Sequence, residues 1–211
     1  MDILFQDRRI VVAVKPSGVL STDEPGGMPA LLRQELHTEC IRTVHRLDAP
    51  VSGLMVFARS AYAAGDLSRQ IREGTFEKHY LAVLRGAPPE REGTLTDLLA
   101  RDKETRLTHV VTTREKGVQE ARLRYRVLDS RAGLTLVRVQ LLTGRTHQIR
   151  VQFAARGCPL AGDGKYGGRG SAPLLWSYRL SFPDPRDGRM QTFEKSPENP
   201  PWEALFAEKQ Q

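Results

Sequence analysis

Residues 44–58 constrain the chain most, because a polar stretch leads there directly into an apolar run. Val44-His45-Arg46-Leu47-Asp48 is followed by Ser52-Gly53 and by Leu54-Met55-Val56-Phe57-Ala58. The apolar run is typical of a buried strand, and Ala49-Pro50 continues neither a helix nor a strand ladder, so we expect Asp48 on a sharp bend. Polar groups on a loop held by a strand are typical of functional sites. Taken alone, however, such an Arg-x-Asp pair is more often a structural ion pair.

The pattern of the remaining chain predicts an α+β protein. Alternation and turn residues predict strands at 3–5, 10–14, 54–58, 76–84, 121–127, 134–142, 176–182 and 190–193. Helices are predicted at 29–37, 61–73 with Ser60 as N-cap and Gly74 at the end, at about 145–156, and after Trp202. Residues 86–106 are rich in Pro, Gly and charge and are expected to be an excursion that contains a short stretch of strand, whereas Arg131-Ala132-Gly133 is expected to link an antiparallel hairpin. We expect one domain over 1–211, with a mixed, largely antiparallel sheet and a few helices.

The charge of the chain indicates a polyanionic partner. The net charge is +7 and the pI is near 9.7, which favours nucleic acid first and an anionic membrane surface second. Cys40 and Cys158 are the two cysteines and lie far apart, so a reducing cytoplasm is expected rather than a disulfide scaffold. Neither a basic leader nor a long apolar run is visible, so we expect no membrane association.

A second polar stretch, Gly144-Arg145-Thr146-His147-Gln148-Ile149-Arg150, opens a predicted helix. A helix N-terminus offers unsatisfied N–H groups to a phosphate or carboxylate. With His147 and Arg150 at i,i+3 on one face, a guanidinium could reach a buried carboxylate. The alternative is an ordinary solvated polar face.

Five fragments in order resemble the RluA-type pseudouridine synthases. They are Lys15-Pro16-Ser17-Gly18, His45-Arg46-Leu47-Asp48 with Ser52-Gly53, Lys78-x-Tyr80, Gly144 to Arg150, and Gly162-Asp163 with Tyr166-Gly167. The resemblance extends from about residue 3 to 193 and implies a pseudouridine synthase fold around an RNA-binding cleft. It also implies that a uridine within RNA is detached at N1, turned, and rejoined through C5.

The resemblance implies a role for particular residues. Asp48 would be the catalytic carboxylate, Arg150 its ion-pair partner, and Tyr80 the ring against the target base, while Arg46 would enter the RNA helix that the uridine has left. The further RNA-binding residues would be His45, Lys15, Lys78, Arg145, His147 and Gln148. Attack of Asp48 on the sugar and removal of a proton from C2′ both remain open. No metal or cofactor is expected, and the partner would be structured ribosomal or transfer RNA bound by a monomer.

The chain departs from the family pattern at three places. Pro50-Val51 replaces a polar pair before Ser52-Gly53, which leaves open how the bend is hydrogen-bonded, and Leu175-Trp176-Ser177 replaces a Leu-His-Ala segment. The chain begins at the catalytic fold without the S4 RNA-binding domain of many relatives. We therefore expect RNA recognition by the basic surface of the catalytic domain itself.

Other interpretations of single motifs are weaker. Gly162 to Gly167 spells a dinucleotide-binding fingerprint but lacks the flanking strand and helix. His37-x-x-Cys40 lacks a second pair of metal ligands. Arg122, Arg124 and Arg126 alternate along a strand, forming either a solvated face or a phosphate contact.

Two functions from other classes remain open. One is a non-catalytic RNA-binding protein that keeps the fold, and it would tolerate Asp48→Asn. The other is a metal-dependent nuclease using Asp48, His45 and Asp163, which would require divalent ions.

Overall fold

A computed structural model describes residues 1–198 and Trp202. The described residues form two compact units: unit 1 comprises residues 1–78 and 176–197, and unit 2 comprises residues 79–175 with Glu198 and Trp202. The helix predicted after Trp202 lies outside the described residues, and the single domain over 1–211 stays a prediction.

Unit 1 contains six strands and two helices in its described part. They are β1 (Ile3–Gln6), β2 (Ile10–Lys15), α1 (Met28–Glu35), β3 (Arg42–Thr43), β4 (Ser52–Ala58), α2 (Ala61–Glu73), β10 (Leu175–Pro183) and β11 (Met190–Glu194). The strands β1, β2, β4 and β10 are neighbours in this order, while β3 also pairs with β4 and β11 with β10. All of these pairs are antiparallel except β4 with β10.

Alternating apolar side chains on β2 and β4 build the core of unit 1. Ile10, Val12, Leu54 and Val56 are fully buried, and α2 contributes Ala63 and Leu67 to the same cluster. As predicted, the Ser60 hydroxyl caps α2 by accepting a hydrogen bond from the Ala63 N–H at 3.1 Å, and Gly74 ends it in the left-handed conformation. The core thus fixes β4, the strand that begins four residues after Asp48.

Unit 2 contains the remaining strands and the third helix. They are β5 (Glu77–Arg85, of which the first two residues belong to unit 1), β6 (Glu92–Arg101), β7 (Thr108–Val111), β8 (Gln119–Arg131), β9 (Leu134–Leu141) and α3 (Gln148–Ala154), followed by a 3₁₀ turn at Gly164–Tyr166. The neighbour order is β5, β9, β8, β6, β7. The predicted hairpin of β8 and β9 is confirmed, with Ala132 and Gly133 both at positive φ in a two-residue turn.

Two predicted elements differ in extent. Residues 86–106 contain strand as expected, but that strand, β6, is ten residues long and pairs with β8 from Glu92 to Leu99, so it is more extensive than predicted. The sequence of β6 has only weak apolar alternation, and the strand is stabilised by pairing with β8, which is distant in the sequence. Local sequence patterns do not contain this information. Helix α3 begins three residues later than predicted, because His147 adopts a left-handed conformation (φ 54°).

The fold-class prediction is confirmed: the sheet pairing is mixed but mainly antiparallel, with three helices among the described residues. In the part of the chain that the structure describes, no helix has the length and apolar character needed to cross a bilayer.

Candidate active site

Asp48 begins a tight bend, as the sequence predicts. The Val51 N–H donates to the Asp48 carbonyl at 2.9 Å, which closes the turn through Ala49 and Pro50. The Gly18 N–H donates to the Ala49 carbonyl at 2.8 Å, and the Ser17 hydroxyl donates to the Pro50 carbonyl at 3.0 Å. Pro50-Val51 replaces the polar pair that is usual in the family at this bend. Here Ser17 and Gly18, in the segment Lys15-Pro16-Ser17-Gly18, supply hydrogen bonds to the bend instead.

Lys15 braces the same bend from inside the protein. Its side chain is fully buried, and its Nζ donates to the carbonyls of Pro16, Val19 and Ala49 at 2.8, 2.7 and 2.9 Å. Burial lowers the pKa of the Lys15 ammonium to about 8, while the nearby Asp48 carboxylate acts in the opposite direction. Since Lys15 has no exposed surface with which to touch RNA, we assign it to holding the bend, contrary to the sequence-based expectation.

The residues that precede Asp48 alternate between core and solvent. Arg46 is exposed, whereas Leu47 is buried and has its N–H and carbonyl both bonded to the Ser21 hydroxyl, at 3.0 and 2.7 Å. His45 is buried, and its Nε2 accepts a hydrogen bond from the Val56 N–H at 3.1 Å. Of these residues, Arg46 is the one placed to meet an external ligand.

The burial of His45 fixes its ionisation state. Burial, with the Lys78 ammonium acting in the same direction, lowers the pKa of the His45 imidazole to about 3. His45 is thus neutral near pH 7, with the Nδ1 hydrogen implied by the acceptor role of Nε2. This places His45 as a structural anchor of β4 rather than an RNA ligand.

Lys78 and Tyr80 lie on β5 with a one-residue separation, as predicted. Lys78 is half-buried and burial lowers the pKa of its ammonium. The Tyr80 side chain is 4% exposed. A nearly buried ring is the arrangement expected of an aromatic wall, so Tyr80 keeps its predicted role as a hypothesis.

Gln148 closes the loop that leads into α3. Its Oε1 accepts hydrogen bonds from the Thr143 hydroxyl at 2.8 Å and the Arg145 N–H at 2.9 Å, and its Nε2 donates to the Arg122 carbonyl at 3.0 Å. Arg145 Nε donates to the Glu120 carbonyl at 2.9 Å. The expected RNA contact by Gln148 is therefore replaced by loop closure, whereas Arg145 is half-buried and stays a candidate.

Arg150 forms a buried ion pair that sequence reasoning missed. Its Nε and Nη2 donate to the two carboxylate oxygens of Asp163 at 2.6 and 2.7 Å, and the side chains are 5% and 1% exposed. The predicted reach of Arg150 to a buried carboxylate is thus observed, with Asp163 as a partner. The available signal was Gly162-Asp163, which matches a family motif and in which Asp163 is also a candidate metal ligand.

Tyr166 connects this ion pair to the hairpin of β6 and β7. The Arg150 guanidinium lies 5.1 Å from the centroid of the Tyr166 ring. The Tyr166 hydroxyl accepts a hydrogen bond from the Thr108 N–H at 3.0 Å and lies 2.7 Å from Nδ1 of His147. Burial raises the pKa of this phenol, so it stays protonated near neutral pH.

The predicted residues form two groups. Lys15, His45, Arg46, Asp48 and Lys78 lie in unit 1, whereas Tyr80, Arg145, His147, Gln148 and Arg150 lie in unit 2. The pairing of Asp48 with Arg150 stays a prediction.

The metal-dependent alternative receives no support from the donor groups. Within residues 1–198 and Trp202, no group of three or more His, Cys, Asp or Glu side chains is arranged to hold a metal ion. His45 Nε2 is occupied by the Val56 N–H, and Asp163 by Arg150.

The chain is similar to known RNA pseudouridine synthases in sequence and in fold. A family model described as RNA pseudouridylate synthase matches residues 9–155. An uncharacterized RNA pseudouridine synthase, YlyB, of Bacillus subtilis is 34% identical over 92% of this chain and 68% of its own length. Ribosomal large subunit pseudouridine synthase D of Nitrosomonas europaea is 32% identical over 92% of this chain and 61% of its own length. The solved structure of human RNA Pseudouridylate Synthase Domain Containing 1 superimposes with a TM-score of 0.78 at 26% identity, covering 98% of this chain and 86% of that one.

Proposed function

Since the chain belongs to the RNA pseudouridylate synthase family, we propose that it converts uridine to pseudouridine within RNA. The observation that carries the proposal is the bend at Asp48: this partly exposed residue lies on backbone that Lys15 holds from inside, and the exposed Arg46 is two residues away. A site of this kind presents a charged group on rigid support, as catalysis requires.

In the proposed reaction, the bond between N1 of uracil and C1′ of the ribose breaks and a bond between C5 and C1′ forms. The hydrogen of C5 leaves as a proton and N1 gains one, so the atoms balance without a redox or hydrolytic step. The Asp48 carboxylate either attacks the sugar or takes a proton from C2′. In both routes it must be ionised, and a cation beside it favours that form.

We propose Arg150 as that cation. Its guanidinium carries five N–H donors, of which the Asp163 pair uses one on Nε and one on Nη2. The bidentate geometry fixes the plane of the guanidinium, and the Tyr166 ring supports one side of it. Asp163 would therefore orient Arg150 for a second carboxylate.

The target uridine must leave its stack, which costs a few kcal/mol. We propose that the Tyr80 ring lies against the flipped base, since base–aromatic stacking contributes about 1–3 kcal/mol. Arg46 is exposed and planar, so it can stack in the vacated space and bind phosphate or base edges. Lys78, Arg145 and His147 would bind the RNA near these groups.

The proposed substrate class is structured ribosomal or transfer RNA. A relative named for the ribosomal large subunit favours ribosomal RNA. Mapping pseudouridines in RNA from a deletion strain would identify the site. We also propose that the protein acts as a monomer in the cytoplasm, where its two cysteines, both free thiols, would stay reduced.

Release of tritium from RNA labelled at C5 of uridine tests the reaction. Wild-type protein should release the label in the presence of chelator, and Asp48→Asn should not release it. Asp23→Asn, which changes an exposed carboxylate paired with Arg33, serves as the matched control and should retain activity.

The same assay separates the alternatives. A non-catalytic RNA-binding protein would bind RNA without releasing label in either form. A nuclease would shorten the RNA on a gel and would stop when chelator is added. Either result would contradict the proposed isomerisation.

A further inference from the structure

Four exposed arginines form a surface on the sheet of unit 2 that the proposed site does not use. In β8, Ala121, Leu123 and Tyr125 are buried, and the alternate residues Arg122, Arg124 and Arg126 are exposed. Arg138 of β9 lies directly opposite Arg126 and is also exposed. We call these four residues the arginine face.

The neighbours of the arginine face are polar. Thr96 and Thr94 of β6 lie opposite Arg122 and Arg124, and Gln140 of β9 lies opposite Arg124 on the other side. Two acidic residues lie beside these arginines on the same side of the sheet: Glu92, opposite Arg126, and Glu120, two positions before Arg122 and paired with Arg114. The four positive charges of the arginine face therefore outnumber the two negative charges beside it, and several hydrogen-bonding groups lie among them.

Stability of the fold does not account for this arrangement. Like charges directly opposite each other across two strands are destabilising, and Arg126 and Arg138 are such a pair. Among the ion pairs within residues 1–198, only Arg126 of these four has a partner, Glu92 at 3.8 Å, and both side chains are more than 60% exposed. An exposed pair of this kind contributes little.

The arginine face lies on the opposite side of β8 from α3. The buried side of β8 packs on that helix, with Ala121 in one cluster with Val151 and the Tyr125 ring 5.5 Å from that of Phe153. Arg150 belongs to α3 and its partner is Asp163. The arginine face is thus distinct from the Arg150 cluster, and changes to its side chains should leave that cluster in place.

We propose that the arginine face binds the phosphate backbone of a double-helical segment of the RNA substrate. This role rests on the proposed function, and it adds a second docking surface to it. Alternate residues on a strand are about 6.7 Å apart, so successive guanidinium groups can engage successive phosphates. A-form RNA is recognised mainly through its backbone and shape, and an exposed row of arginines on a sheet suits such contacts.

Filter binding of two RNAs by the triple variant R122Q/R124Q/R126Q tests the proposal. The probes are a transcript of a large-subunit ribosomal RNA domain and a short unstructured oligonucleotide that contains uridine. We expect affinity for the transcript to fall at least about tenfold, and the slope of log K against log salt to become shallower by about 2 to 3, because each phosphate contact contributes about 0.7–0.9 to that slope. Affinity for the oligonucleotide should stay the same.

Two further variants control for charge and for geometry. R69Q/R72Q/R189Q removes the same charge from exposed arginines of unit 1, and it should change neither slope. R122K/R124K/R126K keeps the charge and should keep most of the salt slope. Because all these side chains are exposed, thermal unfolding should show native stability for each.

The outcomes separate this surface from the proposed activity. Equal weakening by the two glutamine triples, or equal loss on both RNAs, would overturn the arginine face as a duplex-binding surface. A loss of affinity for the transcript alone would support the arginine face as a duplex-binding surface, whether or not the wild-type protein releases tritium. Absence of tritium release from the wild-type protein would contradict only the proposed isomerisation. If tritium is released, kcat at saturating transcript should be unchanged in R122Q/R124Q/R126Q while KM rises.

Discussion

Arg150 and Asp163 form a bidentate ion pair that is almost completely withdrawn from solvent, with N···O distances of 2.6 and 2.7 Å. The pair holds the start of α3 to the loop that follows Gly162. A buried ion pair contributes little net stability compared with an apolar pair, but removal of one partner leaves an uncompensated buried charge. The pair therefore matters most for the direction in which the guanidinium points.

Asp163→Asn tests this relationship. The amide keeps the volume and one acceptor but removes the negative charge, so we expect a loss of about 3–5 kcal/mol in the free energy of unfolding by urea. Arg114→Gln breaks an ion pair to Glu120 whose side chains are 74% and 43% exposed, and it should cost at most about 1 kcal/mol. Equal losses of unfolding free energy in the two variants would show that the buried Arg150 does not need the Asp163 carboxylate to compensate its charge.

Lys15→Met tests the role of the buried Lys15 ammonium, which donates hydrogen bonds to carbonyls at the Asp48 bend. The pKa of Lys15 is about 8, below its ordinary value of 10.5, so between these pH values the unfolded chain binds more protons than the folded protein. Wild-type stability should therefore rise with pH relative to that of Lys15→Met in this window, by at most about 1.4 kcal/mol per pH unit. Below pH 8 the difference should be constant. Urea unfolding at several pH values measures it, and a difference that stays flat up to pH 10.5 would contradict the buried ammonium.

His45→Gln tests how the buried His45 makes the stability of the protein depend on pH in the acid range. The glutamine Oε1 can accept the Val56 N–H in place of Nε2, so the hydrogen bond is conserved. Because the pKa of His45 is about 3 in the folded protein and 6.5 ordinarily, the unfolded chain binds more protons in this range, and wild-type stability falls as pH drops through it. The variant should lose part of this acid sensitivity in urea titrations at pH 4 to 7, whereas His109→Gln, at an exposed histidine, should keep all of it.

Local patterns predicted most elements of the fold. The cap at Ser60, the end at Gly74 and the hairpin at Ala132-Gly133 follow from backbone preferences of nearby residues, and each is observed. The length of β6 was underestimated because its residues pair with β8, a strand distant in the sequence, and local patterns do not contain that partner. Helix α3 was predicted too long because the left-handed turn at His147 depends on contacts of Gln148 with Thr143 and Arg122.

In the candidate site too, features set by the local sequence were predictable, whereas features set by distant contacts were not. The bend at Asp48 was predictable because Ala49-Pro50 restricts the backbone itself. The inward direction of Lys15 was not predictable, because a lysine after a strand is usually solvated and only three converging carbonyls hold it inside. Asp163 as the partner of Arg150 likewise depends on how a loop of glycines folds back on α3.

Tyr166→Phe tests whether the Tyr166 hydroxyl positions Arg150. The change keeps the ring 5.1 Å from the guanidinium but leaves the Thr108 N–H without its acceptor and removes the contact with His147. We expect a loss of about 1–2 kcal/mol in the free energy of unfolding. In the tritium assay we expect a lower kcat at unchanged KM, because orientation of Arg150 would matter to the reaction more than to RNA binding.

The matched control for this variant is Tyr62→Phe. The Tyr62 ring also lies under an arginine, with Arg9 5.7 Å from its centroid, but Tyr62 is 69% exposed and belongs to α2 of unit 1. This variant should be indistinguishable from wild type in both measurements. Tyr166→Leu should exceed Tyr166→Phe in its effect on kcat, since it also removes the ring beside the guanidinium. If Tyr166→Phe instead raised KM and left kcat unchanged, the hydroxyl would serve RNA binding, and its connection to the Arg150–Asp163 pair would be structural only.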